Sequence, residues 1–120
     1  IWCMMPLPEQ FESDDAHQST FYHECIHATG HRKRLDRDMS GRFGSEDYAR
    51  EELVAELGSV FLCNSLGVPY EVSQHASYLN SWKKKIKDDP KYFTTAATNA
   101  KKAHEYCMSQ FEMMRKYDAA

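Results

Sequence analysis

A mainly α fold of about four helices, preceded by one short edge strand, is what this sequence predicts. Serine or aspartate stands where helix N-caps belong, at Ser13, Ser45, Ser73 and Asp89. Glycine stands where two helices should stop, at Gly30 and Gly67. Only one stretch, Ile1 to Met5, reads as a strand, ended by Pro6 and Pro8.

Each element follows from local chemistry. The first helix starts after Ser13, with Asp14 and Asp15 suiting the positive end of the helix, and runs to Gly30. Residues 31–45 are basic, glycine-containing and aperiodic, hence a loop. Ser45 caps the second helix, Glu46 and Asp47 fill its first turn, and Gly67 closes it. Ser73 opens the third, which runs into Asp88. Asp89 as cap and Pro90 as first residue start the fourth, reaching about Tyr117. Met108, Phe111, Met113 and Met114 read as packing residues on it.

The chain has 120 residues, enough for one domain spanning 1–120 but not for two cores. With 42% hydrophobic and 28% charged residues it has ordinary globular composition. A net charge of −3 argues against a free-standing nucleic-acid binder. No apolar run approaches the ~18 residues of a membrane span, so no membrane partner is expected. The chain does not open with Met, which reads as a piece of a larger protein. Cys3, Cys25, Cys63 and Cys107 are scattered and form no C-x-x-C pair. Buried thiols in a reducing compartment, the cytoplasm, fit that spacing better than a disulfide framework. Two basic stretches, residues 31–42 and 83–87, are diluted or followed by aspartates and read as solvated faces.

The chemistry concentrates in the first helix. Residues 23–27 read His-Glu-Cys-Ile-His, an H-E-x-x-H motif. Positions i and i+4 sit one above the other, so His23 and His27 can both reach one zinc ion. Glu24 points about 100° round, beside the metal, where a base acting on its water belongs. On the helical wheel Ala16, Thr20 and His27 share the face of His23, while Phe21, Tyr22, Cys25, Ile26 and Ala28 form the opposite, apolar face.

A catalytic zinc needs a third protein ligand and an open fourth site. The metzincin solution places a histidine where Lys33 stands, and His31 comes two residues early. The other common solution takes a glutamate from a following helix, within E-x-x-A/S-D/E, and Glu52-x-x-Ala55-Glu56 fits. Glu52 and Glu56 share a stripe with the small Ala55, Ser59 and Cys63, which would let another helix approach closely. Glu51 lies about 100° away on the other side of that stripe and is expected to lean towards solvent. Glu52 would then be the ligand, and Glu56 would accept the second ring N–H of His23 or His27.

Three blocks, FYHECIHATGHRKRLDRD, GRFGSEDYAREELVAELGSVFL and QHASYLNSW, come in this order. Together they resemble the zincin-like metallopeptidase domain of ArdC-type antirestriction proteins, which recurs in plasmid, phage and primase-like proteins of mobile elements. The resemblance covers nearly the whole chain and weakens after about Cys107. It implies a gluzincin-like domain holding one Zn2+, with His23, His27 and Glu52 as ligands and Glu24 as catalytic base. It also implies a larger parent protein whose DNA-binding region precedes this segment.

The expected activity is peptide-bond hydrolysis by a metal-activated water. His75 and Tyr78, three apart on the third helix, are the candidate donors to the oxyanion, and Trp82 continues their stripe. The strand Ile1 to Met5 could pair with an extended peptide or protein substrate. Two other readings remain. One is a proteolytically silent zinc module in protein or DNA interaction, which would have no use for Glu24. The other is a nucleic-acid-binding accessory domain.

Overall fold

The computed structural model describes residues 7–10, 13–42, 45–70 and 78–119. The strand expected over Ile1 to Met5, the cap Ser73, His75 and Cys3 all lie outside them. After a 3-10 turn at Pro8–Gln10 come four helices: α1 (Asp14–Thr29), α2 (Glu46–Leu66), α3 (Leu79–Asp88) and α4 (Pro90–Ala119). No strand occurs among the described residues.

The caps work as their chemistry demands. Ser13 is extended and its Oγ accepts from the Ala16 N–H at 3.0 Å; Ser45 does the same for Tyr48 at 3.2 Å. Asp89 ends α3 and its carboxylate accepts from Lys91 N–H at 3.1 Å at the start of α4. Gly67 closes α2 in the left-handed region, φ 70°, with its N–H on Cys63 O. Gly30 ends α1 differently. Its φ of −74° suits any residue. What requires glycine there is space: a Cβ would collide with Met39 Sδ and stand 3.0 Å from Arg37 Nη2.

The loop after α1 turns back to cover that helix end. Leu35 N–H bonds Thr29 O at 2.9 Å, and Arg37 N–H bonds Gly30 O at 3.1 Å. Arg34 Nε donates to Ala28 O and Arg37 Nη2 to Ile26 O, at 2.8 and 2.7 Å. Carbonyls that a helix C-terminus leaves unpaired are thus satisfied. The basic loop is therefore only partly a solvated face: Arg32 and Lys33 are exposed, whereas the Arg37 side chain is 8% exposed.

Helix α2 is the central element, packed against α1 on one side and α4 on the other. The small stripe works as expected. Ser59 Oγ donates to Ser19 O at 2.9 Å, and Cys63 Sγ lies 3.8 Å from Ser19 Oγ; Gly58, which the sequence did not place in the stripe, leaves room for the buried Ile26. Helix α4 offers Ala96, Ala100, Ala103 and Cys107 on one face, all buried. Trp82 of α3 is buried and its indole N–H bonds Ala49 O at 2.9 Å, fixing α3 beside the start of α2. Cys25, Cys63 and Cys107 are buried thiols with no disulfide between them. Met108 and Phe111 pack against the core, but Met113 and Met114 are each 63% exposed, against expectation. The reason is length: α4 has 30 residues against 21 in α2, and its last turns outrun the helices that could cover them. No helix among the described residues is long and apolar enough to cross a membrane.

Candidate metal centre

Helix α1 presents His23 and His27 to α2 from consecutive turns. His23 is completely buried, and the His27 side chain is 17% exposed. The rings meet edge to face, with centroids 4.7 Å apart and Nε2 atoms 3.1 Å apart. Glu52 completes a triangle, with Oε2 at 3.1 Å from His23 Nε2 and Oε1 at 3.0 Å from His27 Nε2. One donor atom from each of these three residues lies within 4.8 Å of the others. Ligands about 2.0–2.2 Å from a tetrahedral ion stand about 3.3–3.5 Å apart. The donor atoms need to spread by only a few tenths of an ångström to admit one. Two imidazole nitrogens and one carboxylate are also a donor set that suits a divalent ion.

Behind each imidazole stands a further carboxylate. Glu56 Oε1 lies 2.8 Å from His23 Nδ1, and Glu51 Oε2 lies 2.8 Å from His27 Nδ1. Glu56 in turn accepts from the Tyr70 hydroxyl. Glu51 receives Arg37 Nε at 2.8 Å and Arg37 Nη2 at 3.0 Å, and Arg37 Nη1 also reaches Thr29 Oγ1 at 2.7 Å. The expectation that Glu51 leans to solvent is therefore corrected: it is buried. The histidines are one turn apart on a helix that faces α2. Backing both requires carboxylates on both sides of Glu52, Glu56 for His23 and Glu51 for His27.

The charges reinforce one another. Burial pushes the His27 imidazolium down, but its bonds to Glu51 and Glu52 overcome this and raise its pKa to about 9. His23 is likewise raised: burial opposes its charge, and Glu52 and Glu56 outweigh burial. Burial would raise Glu52, yet the two histidines hold it far below the usual carboxylate range. For Glu51, His27 and Arg37 similarly overcome burial and lower the pKa.

A cavity of about 190 Å³ opens beside these groups, lined by His27, Met39, Gly41, Tyr48, Glu51 and Glu52 among others. Glu24 sits on α1 next to His23, partly buried. Tyr78 is stacked on Trp82, with centroids 5.9 Å apart, and its ring lies 6.0 Å from that of Tyr48. Burial, then the charge of Glu52, pushes the Tyr48 phenol up; Glu24 contributes more weakly to the same shift. Tyr48, Arg37 and Tyr70 were not singled out by the sequence. Tyr48 had a readable signal, one turn before Glu52 on the same face. Arg37 and Tyr70 had none, because loops alone bring them here.

The sequence profile of the family described as zincin-like metallopeptidase matches residues 2–99. A protein named DNA primase TraC from Escherichia coli is 46% identical over 105 residues, which is 86% of this chain and 7% of that protein. The crystal structure of the antirestriction protein ArdC from plasmid R388 in its Mn(II)-bound form superposes with a TM-score of 0.74 at 42% identity. It covers 84% of this chain and 38% of that one. The metal-free form gives 0.70 at 43%, over 84% and 36%. The chain thus spans a small part of the TraC protein and just over a third of ArdC.

Proposed function

Because this chain belongs to the zincin-like metallopeptidase family, we propose that it hydrolyses peptide bonds with one divalent ion, zinc, held by His23, His27 and Glu52. The observation that carries this reading is the convergence of His23 Nε2, His27 Nε2 and the Glu52 carboxylate within 3.0–3.1 Å at the edge of a cavity. A bound ion would supply an acidified water and a Lewis acid for the scissile carbonyl. The chain supplies the rest. Glu51 is hydrogen-bonded to His27 Nδ1 and Glu56 stands 2.8 Å from His23 Nδ1, an arrangement that would hold protons on Nδ1 and direct both Nε2 lone pairs at the site. Glu24, beside His23, takes the proton of the attacking water and returns it to the leaving amine. Tyr78 and His75 are the donors proposed from the sequence for the developing oxyanion.

The names of the relatives, a DNA primase and an antirestriction protein, support an antirestriction or mobile-element setting for this activity. The buried thiols Cys25, Cys63 and Cys107 suit the cytoplasm. The Mn(II)-bound relative supports metal binding and makes manganese the rival ion. It also gives weight to a second reading, a module that binds metal without cleaving anything.

Elemental analysis of the purified protein decides the metal: about one zinc per chain is expected, lost in His23→Ala and His27→Ala. Zinc persisting in the double variant would remove the proposal. A peptide library then separates the two readings. Cleavage by the wild type that Glu24→Gln abolishes, with metal retained, supports hydrolysis; no cleavage by either supports the silent module.

A further inference from the structure

The open side of the candidate centre is bounded by a residue that the mechanism above does not use. Tyr48 stands one turn before Glu52 on α2, on the same helix face. It lines the same cavity as His27 and Glu52. Its ring lies 6.0 Å from that of Tyr78. Tyr48 thus stands on the open side of the proposed ligands, on the cavity through which a substrate carbonyl would approach the ion. The Glu52 oxygens already face both histidines, at 3.1 and 3.0 Å, so Glu52 does not depend on Tyr48 for its orientation. The ring is well supported: Ser45 fixes its backbone N–H, and Tyr78, stacked on Trp82, lies against it.

We propose that Tyr48 is a further hydroxyl donor, beside Tyr78, that binds the substrate carbonyl oxygen as it becomes an oxyanion. The inference rests on the metal-site reading. A preorganised donor of this kind contributes where charge develops on the substrate and little to the free site. That separates it from a residue that merely steadies Glu52.

The test uses the whole chain loaded with Co(II), whose visible absorption bands report the ion's surroundings, and acetohydroxamate as a probe. Hydroxamates chelate such an ion through two oxygens and place a carbonyl oxygen where the substrate's would sit. Tyr48→Phe keeps the ring and removes only the hydroxyl. It is expected to weaken acetohydroxamate binding about tenfold while Co(II) affinity stays within about threefold; one hydrogen bond to a charged group is of that size. Tyr78→Phe is expected to weaken acetohydroxamate binding less than Tyr48→Phe does. Unchanged probe affinity in Tyr48→Phe overturns the proposal. So does a loss of Co(II) affinity in Tyr48→Phe as large as that of Glu52→Ala, which would make Tyr48 a support for Glu52. A larger loss of probe affinity in Tyr78→Phe than in Tyr48→Phe would move the role to Tyr78. Failure of the wild type to bind Co(II) at all would remove the metal-site reading itself, and this inference with it.

Discussion

Three glutamates stand within six positions of α2, and each meets the histidines in a different way. Glu52 faces both Nε2 atoms, whereas Glu56 and Glu51 each back one Nδ1. A competing-chelator titration should therefore rank them. Glu52→Ala is expected to lose the most zinc affinity, and Glu56→Ala and Glu51→Ala about 10–100-fold each. A loss for Glu51→Ala as large as for Glu52→Ala would overturn that order. The charge of His27 gives a second prediction. Without metal, its imidazolium is held to a pKa of about 9, against 6.5 for the free side chain. A raised folded pKa means stability fully present below about 6.5 and lost as pH climbs through about 9. Zinc needs the neutral ring, so its binding releases a proton and tightens across the same window. The melting temperature with chelator should fall from pH 6.5 to 9, and the increment added by zinc should grow. An increment constant over that range would contradict the assignment. That His23 pairs with His27, and Glu52 with Glu56, was legible from helical spacing within each helix, and the structure brings these four side chains together. Glu51 was misplaced because the wheel of a single helix cannot show that a charge on its flank meets an arginine from a distant loop.

Helix boundaries were legible for the same reason of locality. Ser13, Ser45, Gly67 and the Asp89-Pro90 pair act on groups within a few residues, so their roles show in the sequence. Gly30 acts through Met39 and Arg37, and its space-making role does not. Gly58 tests how far the centre depends on helix separation. A Cβ there would stand 2.7 Å from both Cγ1 and Cδ1 of Ile26, which is wholly buried. Gly58→Ala should cost about 1–3 kcal/mol in urea unfolding, as overpacking does. It should also weaken zinc binding, because α1 carries the histidines and α2 the glutamates. Adding Ile26→Val should recover part of both losses. Unchanged stability in Gly58→Ala would show that the two helices are not held at this distance.

Over the whole molecule, the described helices measure 50 × 33 × 25 Å, and the long axis exceeds the bundle that encloses the site. The last turns of α4 account for part of that, with Met113 and Met114 at 63% and Tyr117 at 84% exposure. Ending the chain after Phe111 should leave the unfolding free energy within about 0.5 kcal/mol, as surface changes do. A larger loss would mean that the exposed turns stabilise the bundle. That this helix would outrun its neighbours was not legible, because partial exposure depends on how far the other helices reach. The position of the centre along the chain has a consequence of a different kind. The three proposed ligands and the carboxylates behind them lie between residues 23 and 56. The contacts that create the ion's cradle join residues 24 and 29 positions apart, against 82 between Cys107 and Cys25 where α4 meets α1, and the shorter loops close at smaller entropic cost. The first two helices are thus expected to pair, and to capture the ion, early in folding, before α4 arrives to seal the core.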